Sequence, residues 1–362
     1  MRWIRNYEAE WEIFVVTEKI LEVKDLEFSF DTYAGEVHAI RGVSFHINQS
    51  ESLAIVGESG CGKSVTVQSI MKLAPTPPGR LKGGRIVYRG RDITNYGDRQ
   101  MEKLRGKEMS MIFQDPMTSL NPTMRIGRQI SEGIKKHEKI SPEEARKRSV
   151  KLLKEVGISD PDRNIMRYPH MYSGGMRQRV MIAIALACNP KILFADEPTT
   201  SLDVTTQAQI LELMNHLKRE FDMAIVLITH NLGIVARFAE RISVMYAGKI
   251  VETGKTQDIF YDPRHPYTWG LLNSVPAVGK KRTEQLPTIK GTPPDLFMPP
   301  KGCGFYDRCE YRMKVCKEND PPSTEIEGGH FASCWLLDQR APSIEPYFVK
   351  RHSKENFGKD VI

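Results

Sequence analysis

Apolar residues in this chain follow two alternating patterns: short unbroken runs, and longer stretches where they recur every three or four positions. The runs at 20–23, 43–47 and 52–56 read as strands. The third is stopped by Gly57, which suits a strand covered on both faces. A helix is expected from 63 to about 72, closed by Pro75. Between 76 and 90, Pro77, Pro78, Gly79, Gly83, Gly84 and Gly90 surround a strand at 85–88 and read as a loop-rich hairpin.

Residues 115–180 are mostly helical in pattern. The clearest helix has a cap at Ser141, Pro142 in its first turn and Glu144 three residues after the cap. Ala145, Ser149, Leu152, Leu153 and Val156 then share one face, and Gly157 ends it. Strand and helix alternate again, with strands at 192–195, 224–228 and 242–246 and a helix at 204–220. This alternation predicts an α/β protein with a largely parallel sheet under helices.

The character changes near Asp262. Eight prolines punctuate residues 263–300, and four of the six cysteines lie beyond them. A boundary there divides the chain into an N-terminal extension (1–19), a large unit (20–262) with a helical part at about 115–180, and a C-terminal region (263–362). The extension breaks its apolar stretch with Glu8, Glu10 and Glu12, unlike a signal peptide, and reads as a frayed or loosely docked segment.

Composition adds little to this picture. The hydrophobic fraction of 40% and charged fraction of 27% are those of a folded protein. A net charge of +7 suits anionic company but does not choose among nucleotide, nucleic acid and membrane surface. The longest apolar run, 180–188, is nine residues, well short of the roughly 20 a spanning helix needs. The chain is expected in the reducing cytoplasm, where cysteines seldom form structural disulfides.

Candidate chemistry begins at Gly57-Glu58-Ser59-Gly60-Cys61-Gly62-Lys63-Ser64, followed by Val65. This is the phosphate-loop pattern, placed after a buried strand and opening a helix. Glycines let backbone amides converge on phosphates, the helix N-terminus adds a positive dipole end, Lys63 reaches the β- and γ-phosphates, and Ser64 binds Mg²⁺. Cys61 reads as a small filler. The apolar strand ending in Asp196-Glu197 would deliver two carboxylates to the same sheet edge, Asp196 to Mg²⁺ through water and Glu197 to the attacking water.

The segment Ser173-Gly174-Gly175-Met176-Arg177-Gln178-Arg179 resembles the signature of ABC ATPases. Tyr172 and Met176 stand where the family usually has leucine and glutamine, a departure typical of its oligopeptide-importer branch. The resemblance spans about 20–262 and implies further roles. Gln114, in Phe113-Gln114-Asp115-Pro116, resembles the glutamine that contacts Mg²⁺ and links the core to the helical part. Ser201-Leu202-Asp203 resembles the loop that crosses to the opposite subunit, and His230 the switch histidine sensing the γ-phosphate. Either Phe30 or Tyr33 is the expected adenine-stacking aromatic. The implied fold has a parallel-sheet core, an antiparallel β subdomain and a helical subdomain. The single motif set implies a second, related ATPase chain, with ATP sandwiched between the two.

His265-Pro266-Tyr267 resembles the opening of the C-terminal extension in oligopeptide, dipeptide and nickel importer ATPases. Beyond it Cys303, Cys309, Cys316 and Cys334 are separated by five, six and seventeen residues, a set that points to metal. The absence of a C-x2-C pair favours an iron–sulfur cluster. The tail also resembles those of dipeptide-importer ATPases thought to hold [4Fe-4S]. Zinc, with His330 as an extra ligand, and free thiols are the alternatives. The resemblance further implies two membrane permease subunits, an external substrate-binding protein acting indirectly, and a place on the cytoplasmic face of the membrane. Dipeptides or oligopeptides are the expected cargo, with nickel, glutathione or oligosaccharide as the alternative. The basic residues form no aromatic-interleaved patch, which argues against nucleic acid.

Overall fold

The computed structural model describes residues 18–200, 202–274 and 288–344. Most of the N-terminal extension lies outside the described residues. Twelve strands are present among those described: β1 (Lys19–Thr32), β2 (Gly35–Asn48), β3 (Ser52–Val56), β4 (Gly79–Tyr88), β5 (Arg91–Asp92), β6 (Met109–Ile112), β7 (Ile192–Asp196), β8 (Ala224–Thr229), β9 (Arg241–Tyr246), β10 (Lys249–Lys255), β11 (Thr324–Glu327) and β12 (His330–Ala332). They form a four-stranded antiparallel sheet, β2-β1-β4-β5, and an eight-stranded sheet, β11-β12-β10-β9-β3-β8-β7-β6.

The centre of the large sheet is parallel, from β9 through β3, β8 and β7 to β6. Its unbroken apolar runs are explained by cover on both faces. Along β7, Ile192 and Phe194 join one core while Leu193 and Ala195 join another. Along β8, Ala224, Val226 and Ile228 alternate in the same way with Ile225 and Leu227. One of these cores is filled by the antiparallel sheet and the helix Lys63–Ile70. The other is filled by the helices Ile126–His137, Pro142–Glu155 and Gly174–Leu186. In the first of these, Ile126, Ile130 and Ile134 fall four residues apart and are fully buried. In the second, the Ser141 side chain accepts a hydrogen bond from the Glu144 amide, the cap its sequence predicts.

Strand β1 is much longer than the apolar run at 20–23. Its alternation breaks at Asp25, which sits at φ +46° where the pairing with β2 shifts register. A bulge there hides the strand's continuation from a period-two reading.

The segment beyond Asp262 builds onto the large sheet. Strand β12 pairs antiparallel with β10, placing Ala332 opposite Glu252. Tyr267, Leu272 and Phe305 share a core with Val56, Val244 and Tyr246. Glu252, buried, accepts hydrogen bonds from the amides of Arg264 and His265 and meets Nε2 of His330 at 2.9 Å. A buried carboxylate with three partners ties the C-terminal region to the sheet.

No helix among the described residues is long and apolar enough to cross a membrane.

Candidate active site

Strand β3 ends at Val56 and the chain turns through 57–62 into the helix Lys63–Ile70. Two glycines make that turn feasible. A Cβ on Gly57 would lie 2.2 Å from the Met245 carbonyl oxygen. Gly62 sits at φ +103°, with the Ala39 carbonyl oxygen 2.5 Å from where its Cβ would be. Ser59 and Gly60 are exposed, Ser64 and Val65 are half-buried, and Cys61 is buried as a filler. The Lys63 ammonium donates to the carbonyls of Gly57 (2.8 Å) and Glu58 (2.9 Å), folding over its own loop.

Strand β7 brings its two acids to this place. Ser64 Oγ donates to Asp196 Oδ1 at 2.8 Å, joining the phosphate loop to the neighbouring strand end. Burial raises the Asp196 carboxyl above its ordinary range. Glu197 collects three partners: Gln114 Nε2 at 3.1 Å, Thr200 Oγ1 at 3.0 Å and His230 Nδ1 at 3.1 Å. Burial pushes its carboxyl up, but the bonds from His230 and Thr200 outweigh this and leave it below its ordinary value. The result is an ionised acid, held from three sides, beside a phosphate loop and a second carboxylate. Such an arrangement can orient a water for attack on a bound phosphoryl group.

The remaining predicted residues lie elsewhere. Ser173 caps the helix Gly174–Leu186, accepting from the Met176 amide at 3.4 Å, and is exposed together with Gly174. Among the described residues, no hydrogen bond or ion pair joins Ser173–Gly175 to the phosphate loop. Tyr172 is buried, and its hydroxyl donates to the Asn164 carbonyl at 2.7 Å. Asp203 caps the helix Val204–Phe221, accepting from the Thr206 amide and hydroxyl at 3.0 and 2.7 Å. Ser201 lies outside the described residues. Phe30 is half-buried edge-on to Phe28 with ring centroids 5.2 Å apart, whereas Tyr33 stands fully exposed in the β1–β2 turn.

The four C-terminal cysteines converge. Cys303, Cys309, Cys316 and Cys334 all line one small hollow with Phe305, Tyr306 and Trp335. Burial raises the thiols of Cys303 and Cys309 to about 11 and that of Cys334 to about 12. No group of three or more His, Cys, Asp or Glu among the described residues is arranged to hold a single metal ion. These two findings are compatible. A single ion needs its donors drawn together at bonding distance, whereas a four-iron cluster holds its thiolates apart on separate irons. His330 does not line the hollow; its ring is engaged with Glu252.

Three residues escaped sequence reasoning. Thr200 supports Glu197 from the loop after β7, and a threonine there carries no distinguishing signal. Arg308 and Tyr267 reach the phosphate loop from the far end of the chain, with Tyr267 visible only as part of the HPY string.

A phosphate loop, paired acids and a supporting glutamine and histidine on this sheet define a phosphate-loop ATPase. A family model described as "ABC transporter" matches residues 29–200, and one described as "Oligopeptide/dipeptide transporter, C-terminal region" matches 251–316. The oligopeptide transport ATP-binding protein OppD of Bacillus subtilis (strain 168) is 58% identical, over 91% of this chain and 92% of that protein. The dipeptide transport ATP-binding protein DppD of the same organism is 54% identical, over 90% of this chain and 96% of that one. Among solved structures, a dimeric post-hydrolysis state of the ATP-binding cassette MJ0796 bound to ADP and Pi matches 65% of this chain and 98% of that chain. Its TM-score is 0.59 at 28% identity. The chain therefore belongs to the ABC transporter ATP-binding proteins, in their oligopeptide/dipeptide branch. It is an ATPase of the ABC importer type.

Proposed function

We propose that the chain powers the uptake of dipeptides or oligopeptides from the cytoplasmic face of the membrane. It would act with two permease subunits, a second related ATPase chain and, indirectly, an external binding protein. The observation that carries the catalytic part is the convergence of Gln114, Thr200 and His230 on Glu197, beside the Ser64–Asp196 bond.

In this reading the loop amides of 57–64 and Lys63 cradle the triphosphate, Val65 continues the helix behind it, and Phe30 offers its ring to adenine. Phe30 is favoured over Tyr33 because Phe28 already orients its ring, so less freedom is lost on stacking. Ser64, Asp196 and Gln114 would hold Mg²⁺, which neutralises phosphate charge. Glu197 orients the attacking water and His230 fixes Glu197. Ser173 and Gly174, exposed, and Gly175, half-buried beside them, make no hydrogen bond to this chain's own loop among the described residues and serve the nucleotide of the partner ATPase, with Asp203 at the same interface. Co-purification with membrane subunits, and ATP-dependent peptide uptake by the reconstituted assembly, test the function. Association with DNA or ribosomes and no uptake would overturn it.

The four cysteines fit a [4Fe-4S] cluster, with Cys303, Cys309, Cys316 and Cys334 as its ligands. The support is their shared hollow, which gathers four thiols in one place, as a four-iron cluster requires. Bound there, a cluster would cross-link the tail and offer one-electron chemistry. Iron and acid-labile sulfide, measured on protein purified without oxygen, should both approach four per chain. One zinc without sulfide would replace this assignment.

A further inference from the structure

The phosphate loop carries an acid at its second position. Glu58 has its backbone oxygen on Lys63 Nζ and its backbone amide donating to the hydroxyl of Tyr267 at 2.9 Å. Its carboxylate is gripped by Arg308, from 250 residues further along the chain, with Nη1 2.6 Å from Oε2 and Nη2 3.0 Å from Oε1. Arg308 is itself held on every side. Nε donates to the Lys290 carbonyl, Nη1 also to the Tyr246 hydroxyl and Nη2 also to the Ile289 carbonyl. All five of its N–H groups are thereby used. Its side chain is only 5% exposed, and its guanidinium lies 5.8 and 5.9 Å from the ring centres of Tyr246 and Phe305.

A loose anchoring contact would not need this degree of construction. A carboxylate in a phosphate loop is a liability for triphosphate binding, because like charges at close range repel. A two-pronged guanidinium both cancels the charge and fixes where the carboxylate points. We propose that Arg308 is a positioning residue for ATP: it neutralises Glu58 and turns it aside, so that the loop's amides and Lys63 meet the phosphates without an opposing charge. Tyr267 holds the Glu58 backbone from the same side. Nucleotide affinity thus depends on the C-terminal region, and the turn Tyr306–Arg308 that supplies Arg308 leads directly into Cys309.

The inference rests on assigning the triphosphate to the 57–64 loop, and Lys63→Ala checks that assignment separately. If Lys63→Ala binds ATP like the unmodified chain, the loop assignment fails and the role of Arg308 falls with it. With the assignment intact, Arg308→Gln should weaken ATP binding by about tenfold, raising KM while kcat at saturating ATP changes little. Arg308→Lys should recover part of that loss. The deciding variant is the double Glu58→Gln, Arg308→Gln: removing the stranded carboxylate should restore near-normal affinity. A double variant that binds as weakly as Arg308→Gln would overturn the proposal, since a merely structural brace gives that result. If Arg308→Gln does not fold, Glu58→Gln alone decides. Affinity equal to or tighter than the unmodified chain is expected, and a tenfold loss would overturn the proposal.

Discussion

Glu197 Oε1 lies 3.1 Å from His230 Nδ1, and Glu197 holds this contact from a backbone at φ +44°. A non-glycine residue there is strained, and such strain persists only where surrounding contacts enforce it. Here the enforcement is visible: Gln114 and Thr200 bind the other carboxylate oxygen, and the Glu197 amide donates to the Ile228 carbonyl at 2.9 Å. Glu197→Gln keeps the shape and most of these bonds but removes the charge that draws a proton from water. ATP binding should be retained while turnover falls by about 10² to 10⁴-fold. Hydrolysis near the normal rate, measured by phosphate release, would remove Glu197 from its role.

Gly62 gives a test of the loop's geometry that changes no charge. Its φ of +103° is unfavourable for any L side chain, and a methyl group would meet the Ala39 carbonyl 2.5 Å away. Gly62→Ala therefore has to shift either β2 or the first turn of the helix that carries Lys63. ATP affinity should drop by about tenfold or more, together with a stability loss of about 1–3 kcal/mol. Gly60, also at positive φ but with open space around it, should tolerate alanine better. Equal losses at both positions would count against backbone approach as the cause.

Much of the fold could be read from residues alone because its central strands are covered on both faces. The runs at 192–195 and 224–228 are apolar without a break, and little else in a chain this size reads that way. The phosphate loop was equally plain, since its glycines answer to a fixed local geometry. Strands β10, β11 and β12 were not legible. They are mixed in burial: β10 returns along β9, and the short β11 and β12 are brought onto it where Glu252 and its partners gather the tail against the sheet. The Glu58–Arg308 pair was hidden for a similar reason. An acid in a variable loop position and an arginine 250 residues away carry no shared local signal.

The edge between the two sheets should be sensitive to acid. His46 Nε2 faces Arg241 Nη1 at 2.8 Å and must accept that hydrogen bond in its neutral form, while Arg241 also pairs with Glu51 at 3.3 Å. Burial, with the nearby Arg241 charge, lowers the His46 pKa from 6.5 to about 4; Lys19 lowers it further and Glu22 opposes. The unfolded chain therefore binds this proton more readily between about pH 6.5 and 4. The stabilising contribution is complete above that window and is lost as pH falls through it. After allowance for partial exposure, the loss should be about 1 kcal/mol at pH 5. His46→Gln can still accept from Arg241 and does not titrate. Denaturant unfolding at pH 7.5 and pH 5 should show the unmodified chain losing about 1 kcal/mol more than the variant. Identical losses would exclude His46 as the source.

Ser173 offers the sharpest test of whether this chain completes its own site. The residue is exposed, its hydroxyl caps its own helix, and among the described residues no hydrogen bond ties it to Lys63 or Glu197. If it serves the nucleotide of a second subunit, Ser173→Arg should leave ATP binding to the isolated chain unchanged, at a cost in helix capping of about 1 kcal/mol. Hydrolysis in the assembled pair should fall by roughly 10²-fold, because a bulky side chain displaces the anion-binding end of the helix from the opposite phosphates. The same arrangement predicts that, in an equimolar mixture with the second ATPase, turnover per chain rises with protein concentration until the pairs saturate. Turnover per chain that is constant across dilution, together with lost ATP binding in Ser173→Arg, would place the serine in the site of its own chain. A concentration-dependent rate with intact binding requires the second subunit, since no rearrangement within one chain makes turnover depend on how many chains are present.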